Sequence, residues 1–539
     1  MAAGDPLKRR EFIAGLAATA WMTGCGSNGG AAPLPPGELL GASHAAGHRL
    51  RGGGFPEPAE TRSHRVVIVG GGIAGLTAAW RLGKSGFSDF RMLELEREPG
   101  GNARFGVNEV SPYPWGAHYI ALPTREATHT RELLADLGVL IGDPHAARPR
   151  YEERFLCHDP QERLYRNGRW QDGLLPEIGA GESDRQQYRR FEELMAQFKA
   201  RRARDGRKAF AIPTAASAPE PDLVELDRIS MRDFLLARGL DSAPLHWHVN
   251  YACRDDFGTD YAQTSAWAGV HYFASHDAEA ENAGSHTVLT WPEGNGWVVR
   301  QLAARLAAQL VAGAAVFRIR EEGRRVTVDY HSFAEDRTVR INAERVIFAA
   351  PMFLLPYVLE NAPADIVDAA RAFQYAPWVV ANLTLKAVPA DRGGVPLSWD
   401  NVIYDSPGLG YVVATHQALR TAPGPTVLTY YLPLTDMAPA AARERLLTAT
   451  REEWAGRVLD DLARPHPDIR NLATRLDVFR WGHAMVRPVP GFMWGKARAT
   501  LAMPRGRVHF AHSDLSGMSL FEEATFRGAT AAEAVLRNL

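Results

Sequence analysis

The stretch HRVVIVGGGIAGLTAAW, residues 64–80, decides the fold. Val66 to Val69 is a run of four β-branched apolar residues, the pattern of a strand covered on both faces in a parallel sheet. Gly70, Gly72 and Gly75 then form G-x-G-x-x-G, and the residues from Leu76 to Gly86 place apolar side chains at helical spacing. In that order Gly70 permits a tight turn, Gly72 lets the backbone approach a pyrophosphate, and Gly75 allows close helix–sheet packing. A second apolar run, FRMLELE from Phe90, carries Glu94 about 20 residues past the glycines, where a carboxylate accepts both hydroxyls of an adenosine ribose. The reading is an α/β chain built on a Rossmann-like dinucleotide-binding domain.

Composition bounds the rest. A chain of 539 residues with 46% hydrophobic content buries a large core and, at about 150 residues per domain, divides into two to four domains. Lys and Arg number 61 against 62 Asp and Glu, a balance with no general attraction for nucleic acid or acidic membrane, so a small molecule is the expected partner. Cys25, Cys157 and Cys253 show no C-x-x-C and no zinc-like spacing with histidine. Metal and covalent haem are therefore not expected, and Cys157 and Cys253 read as buried thiols.

Residues 1–25 read as an export signal. Lys8-Arg9-Arg10 precede an apolar run, Phe12 to Met22, that is too short to span a bilayer. Arg9-Arg10-Glu11-Phe12-Ile13 resembles a twin-arginine signal, the route of proteins that cross a bacterial membrane already folded. Met22-Thr23-Gly24-Cys25 resembles a lipobox, so the mature protein is either periplasmic or tethered to the membrane through a lipid on Cys25. Residues 26–63, rich in Gly, Pro, Ala and Ser, read as a tether with little packed structure.

Past Glu94 come Gly100-Gly101-Asn102-Ala103-Arg104 and then YPWGAHYI, with Gly116-Ala117. This combination resembles the flavoprotein superfamily of the amine oxidases, protoporphyrinogen oxidases and carotenoid desaturases. The resemblance implies FAD, with Gly100, Gly101, Gly116 and Ala117 passing close beneath diphosphate and flavin and Arg104 neutralising phosphate. It also implies that Val316, in the hairpin pattern AAVFRIREEGRRVTVDY, contacts the adenine side through its backbone, and that Ala350, ending the strand INAERVIFAAP, lies beside the dinucleotide. The C-terminal RVHFAHSDLSGMSLFEEATFRGATAAEAVL resembles the family's last strand, loop and flavin-facing helix. Asp514 is then the implied ribityl ligand, one place later than usual, and Glu523-Ala524 stands where Gly-Ala is common, putting Glu523 near the flavin.

By the same resemblance residues 64–121, 285–359 and 494–539 form the FAD domain, interrupted by a mixed α+β substrate domain, 122–284 and 360–493. FRWGHAMVRPVPG resembles the family's Arg-Trp-x-x-Ala-x-Pro pattern and would put Trp481 in the cavity over the flavin. Many amine-oxidising relatives carry a lysine that holds a water near flavin N5; Val380 aligns there, and Lys386, the only lysine on that strand, lies about 20 Å further along. Either the strand runs unevenly and brings Lys386 in, or the lysine is absent and an electron acceptor other than oxygen, a quinone or a redox protein, takes its place. His118 reads as a base or as a hydrogen-bonded loop histidine. Asp255, Asp256, Tyr261, Trp267, His271 and Tyr272 read as a wall for a cationic or aromatic substrate. The expected function is an exported FAD-dependent oxidoreductase passing a hydride from an amine C–H to flavin. Its rivals are a desaturase or oxidase of C–C bonds with a long apolar cavity lined by Phe353, Leu354 and Trp378, and a non-catalytic lipoprotein that keeps the fold as a binding module.

Overall fold

The computed structural model describes residues 33–418, 422–503 and 506–539. The export signal and Cys25 lie outside the described residues.

Val66–Val69 is the middle strand of a five-stranded parallel sheet ordered Leu310–Ala312, Phe90–Glu94, Val66–Val69, Arg345–Phe348, Val508–Phe510. Its side chains alternate between two cores: Val66 and Ile68 pack with the Ile73–Lys84 helix, Val67 and Val69 with a second sheet. This is why the run has no polar position. The Ile73–Lys84 helix also packs against Phe521–Arg537, so closely that a Cβ on Gly528 would stand 2.1 Å from the Ala74 carbonyl oxygen. The second sheet is the antiparallel set Ala314–Glu322, Arg325–Ser332 and Arg337–Ala343, its first hairpin turning at Gly323 in the left-handed region, with Glu60–Ser63 added in parallel.

An eight-stranded mixed sheet carries the second half of the molecule, in the order Leu39–Gly41, Ala473–Val486, Tyr375–Leu385, Thr426–Pro433, Gly410–Val413, Asp400–Ile403, Glu162–Arg166, Arg169–Asp172. Tyr375–Leu385 is buried at every position and alternates in the same way. Val379, Ala381, Leu383 and Leu385 face a layer that includes Trp454 of the Arg451–Leu462 helix, whereas Ala376, Trp378 and Val380 face an aromatic cluster that includes Trp115, Tyr251, Trp399, Tyr431 and Trp481. Helices Glu182–Ala200, Ala243–Phe257 and Ala266–Ala274 pack on one another beside it.

The tether reading is corrected over most of its length. Leu39–Gly41 pairs in parallel with Ala473–Val486, His44–Gly52 is a helix, and Glu60–Ser63 pairs with Arg337–Ala343. Strand addition is a backbone event, and small residues are compatible with it: a Cβ on Gly37 would stand 1.8 Å from the Leu476 carbonyl oxygen. At Gly37 the missing side chain marks close approach, whereas a Cβ on Gly47, Gly52, Gly53 or Gly54 would meet nothing within 4 Å.

Candidate active site

The cradle grows out of the end of Val66–Val69. Gly70 turns at φ +104°, its N–H held by Leu93 O at 2.8 Å, and Gly72 begins the Ile73–Lys84 helix. A Cβ on Gly75 would stand 1.9 Å from Gly70 O, so only glycine closes this turn, while one on Gly72 would meet only Gly101 Cα at 3.9 Å, leaving the helix N-terminus open. Glu94 is 8% exposed. One carboxylate oxygen accepts from Gly71 N–H at 2.5 Å and the other from Glu96 N–H at 2.8 Å. Burial pushes its pKa up against the pull of those two bonds.

Gly100–Arg104 runs alongside, tied by Gly100 N–H to Gly71 O at 2.8 Å, and Ala117 N–H donates to Asn102 O at 2.8 Å. Together they border a cavity of about 810 Å³. Gly70, Gly72, Glu94, Gly100, Gly101, Arg104, Ala117, Val316, Ala350, Trp481 and Ala524 all line it, although they come from five distant stretches of sequence. Gly75 sits behind the turn, and Gly116 beneath Ala117 accepts a hydrogen bond from the Tyr431 hydroxyl at 2.9 Å. Arg104 stands 3.2 Å from Glu96. A glycine cradle at a helix N-terminus, a buried carboxylate and a cavity of this size fit FAD, which Gly72, Glu94, Arg104 and Val316 would hold.

Three sequence readings are corrected. Asp514 does not line the cavity: it accepts from the Tyr375 hydroxyl at 2.6 Å and from Met352 N–H at 3.0 Å, and lies 3.1 Å from His512 Nδ1. Burial alone would raise its pKa, but the His512 charge and these bonds hold it below the ordinary carboxylate value. The one-place offset thus turns Asp514 into a brace, and His512 and Ser513 face the cavity in its stead. Glu523 is also turned away, fully buried and accepting from Thr214 N–H at 2.5 Å. Lys386 lies exposed at the far end of Tyr375–Leu385, while Val380 keeps the cavity-side position. The strand does not bring the lysine in.

Trp481 lines the cavity, its indole N–H donating to Trp115 O at 2.6 Å. From Ala117 an aromatic wall leads inward: His118 stacks on Tyr431 at 4.6 Å and lies 5.6 Å from Trp399. Burial pushes the His118 pKa down to about 4, so the imidazole is neutral at pH 7.

Beyond the wall lie four carboxyls. Glu162 and Asp400 are direct partners in the parallel pairing of their strands, and Asp255 and Asp256 end the Ala243–Phe257 helix. Burial pushes all four upward: Asp255 to about 7 despite the Arg254 charge, Asp256 and Asp400 well above the ordinary value with repulsion from Asp255 added, and Glu162 in the same direction with repulsion from Asp172. Among the described residues none of them has a Lys or Arg at ion-pair distance, and one Asp256 oxygen is buried without a hydrogen-bond partner. Glu162, Asp255 and Asp400 keep some accessible surface, as do Tyr119 and Tyr272 beside them. Of the wall read from sequence, Asp255, Asp256 and Tyr272 belong here. Trp267 and His271 instead pack on each other at 5.1 Å in the helical core, with His271 bonded to Ala211 O, and Tyr261 bonds His246. Glu162 and Asp400 went unread, because no local pattern marks two acids 238 residues apart that a sheet register sets side by side.

The fold and the cradle define an FAD-binding protein with a separate substrate domain. The chain belongs to the flavin containing amine oxidoreductase family, whose profile matches residues 73–536. Human peroxisomal N(1)-acetyl-spermine/spermidine oxidase is 45% identical over 82 residues, 14% of this chain and 15% of that protein, so the match spans a small part of either. Wild-type putrescine oxidase bound to putrescine superposes with a TM-score of 0.66 at 16% identity, covering 88% of this chain and all of that one. Cyclohexylamine oxidase from Brevibacterium oxydans gives 0.62 at 16% identity, covering 88% and 99%. These two likenesses establish the fold.

Proposed function

We propose that the chain is an FAD-dependent oxidoreductase that removes a hydride from the carbon beside an amine nitrogen, and that its substrate carries a second cationic nitrogen. The observation that carries this is the acidic cluster behind the aromatic wall. Four carboxyls whose pKa values burial raises, with no Lys or Arg at ion-pair distance among the described residues and only the Arg254 charge acting on Asp255, are costly unless a cation joins them. Bound FAD supplies the two-electron acceptor; the amine becomes an imine as hydride leaves, and water then hydrolyses it. The chain's own part is positional. Trp481, fixed by Trp115, and the His118–Tyr431 pair wall the reacting carbon, neutral His118 adds no charge beside a neutral amine, and Asp255, Asp400 and Glu162 hold the distal ammonium.

The test is an anaerobic absorption titration of the purified protein with putrescine, spermidine and the monoamine hexylamine. Bleaching of the flavin band at lower concentration by the diamines supports the proposal. Phe353 and Leu354 in the cavity lining favour a second reading, C–C desaturation of an apolar chain, and bleaching by a fatty acid but by no amine would install it. Flavin that none of these reduces would favour the binding module.

The absence of a lysine at position 380 supports reoxidation by a quinone or redox protein in place of oxygen, which stopped-flow reoxidation with each acceptor tests. Export through the twin-arginine route is part of the same proposal, resting on Arg9-Arg10 and the apolar run after them. Cell fractionation of wild type, Arg9→Lys/Arg10→Lys and Cys25→Ala separates cytoplasmic, periplasmic and lipid-anchored forms.

A further inference from the structure

We infer that residues 39–52 are a clasp that closes over the FAD site and that Arg51, with Arg443 opposite, supplies counter-charge for the dinucleotide's phosphates. This inference rests on the FAD reading. The segment lies wholly N-terminal to the glycine fingerprint; its strand is the edge of the eight-stranded sheet, and its Ser43 reaches across to Glu96 of the dinucleotide half. Leu39, Leu40 and Gly41 pair with Val478, Phe479 and Arg480 on the strand that carries Trp481. Two residues later Ser43 offers its backbone N–H to one Glu96 carboxylate oxygen and its hydroxyl to the other, each at 2.8 Å. Glu96 is two residues past the ribose carboxylate Glu94. The His44–Gly52 helix then runs over the opening, with Leu50 seated in the core that includes Val316, while His44, His48 and Arg51 line the cavity. Helix and cradle line the same cavity, so an FAD lying along Glu94, Gly72 and Val316 would sit against this helix, and the clasp would have to lift to release it.

The charges point to the same ligand. Arg443, half-buried, also lines the cavity, and among the described residues its only hydrogen bond is a 3.4 Å contact to Tyr375 O. Among the described residues no carboxylate lies at ion-pair distance from Arg51 or Arg443. His483 feels both arginines and His48, and with burial they lower its pKa to about 4. Glu94, Glu96 and Glu444 are the acids in the cavity lining among the described residues. Unpaired cations facing a cavity shaped for a dinucleotide fit a dianionic diphosphate.

The experiment uses the purified holoprotein. FAD release is followed by the fluorescence of free flavin after dilution, for wild type, Ser43→Ala, Arg51→Glu and Arg51→Lys. Trypsin, which cuts after Arg49 and Arg51, is applied with and without bound FAD. Ser43→Ala is expected to speed release about tenfold, the worth of one charge-assisted hydrogen bond, and Arg51→Glu more. Arg51→Lys should stay near wild type, and bound FAD should protect the two tryptic sites. Unchanged release in Ser43→Ala and Arg51→Glu, or equal cleavage with and without FAD, overturns the clasp while leaving the flavin reading intact. A wild-type protein that purifies with no flavin and takes up none overturns both.

Discussion

Replacing Asp255 by asparagine should make the folded protein more stable at pH 8 and a worse enzyme toward diamines. In the folded state the Asp255 carboxyl titrates at about 7, against an ordinary 3.8, because burial disfavours its ionised form by more than the Arg254 charge favours it, with the Glu162 charge adding to the rise. The folded protein therefore binds more protons than the unfolded chain between those values, so this group's contribution falls as pH rises from 3.8 to 7. Above 7 the full cost is present; at pH 4 almost none is. A shift of about three units at 1.36 kcal/mol each sets an upper bound of about 4 kcal/mol. Asparagine keeps the shape and cannot ionise, so Asp255→Asn should raise the urea midpoint at pH 8 by an amount equivalent to about 2–4 kcal/mol and leave it nearly unchanged at pH 4.5. The same substitution removes a partner of the distal ammonium. A lost buried charge pair is worth about 2–5 kcal/mol, so kcat/KM for putrescine should fall at least about thirtyfold while hexylamine changes less than about threefold. Equal loss for both amines, or a lower urea midpoint at pH 8 than wild type, would refute the acidic cluster as a cation site.

Gly75→Ala should abolish flavin retention, since its Cβ would stand 1.9 Å from Gly70 O; a full flavin complement on the purified variant would show that the cradle has slack. Lys386→Met should leave flavin reduction and reoxidation rates within a factor of two, because Lys386 is exposed at the far strand end, and a tenfold fall would return it to the site. Val380→Lys should speed reoxidation by oxygen and raise the putrescine KM at least about tenfold, because Val380 shares a cluster with Tyr251 and Tyr431 beside the acids; an unchanged KM would separate that wall from the acidic cluster. Cys157 and Cys253 are buried and their thiols pushed up by burial, so a thiol reagent at pH 8 should react with neither until denaturant is added.

Legibility followed the range of the interactions. The glycine turn and Glu94 could be read because each position is set by local geometry, a turn only glycine closes and a strand end at a fixed distance from it, whereas Val316 followed from the family resemblance alone. Asp514 and Glu523 were placed by counting along a family pattern, and one residue's offset at a strand end was enough to turn Asp514 into a brace for Tyr375 and Met352. The acidic cluster was half legible. Asp255 and Asp256 stood out in a dense polar stretch, whereas Glu162 and Asp400 look like ordinary strand-end charges until the parallel register sets them together. The clasp left no trace, since its contacts are a backbone strand pairing and one serine on one glutamate. Both unread features are electrostatic and of opposite sign. Carboxyls gather behind the aromatic wall, while half-buried Arg443 and the clasp's own exposed Arg51 line the cavity, each set without an ion-pair partner among the described residues. A fold keeps unpaired charge near its interior, as at Arg443 and the carboxyls, chiefly where a ligand completes it. Two such sets in one molecule therefore argue for two ligands bound at once: an anion under the clasp and a cation beyond the wall, with Trp481 and Ala117 on the cavity boundary between them.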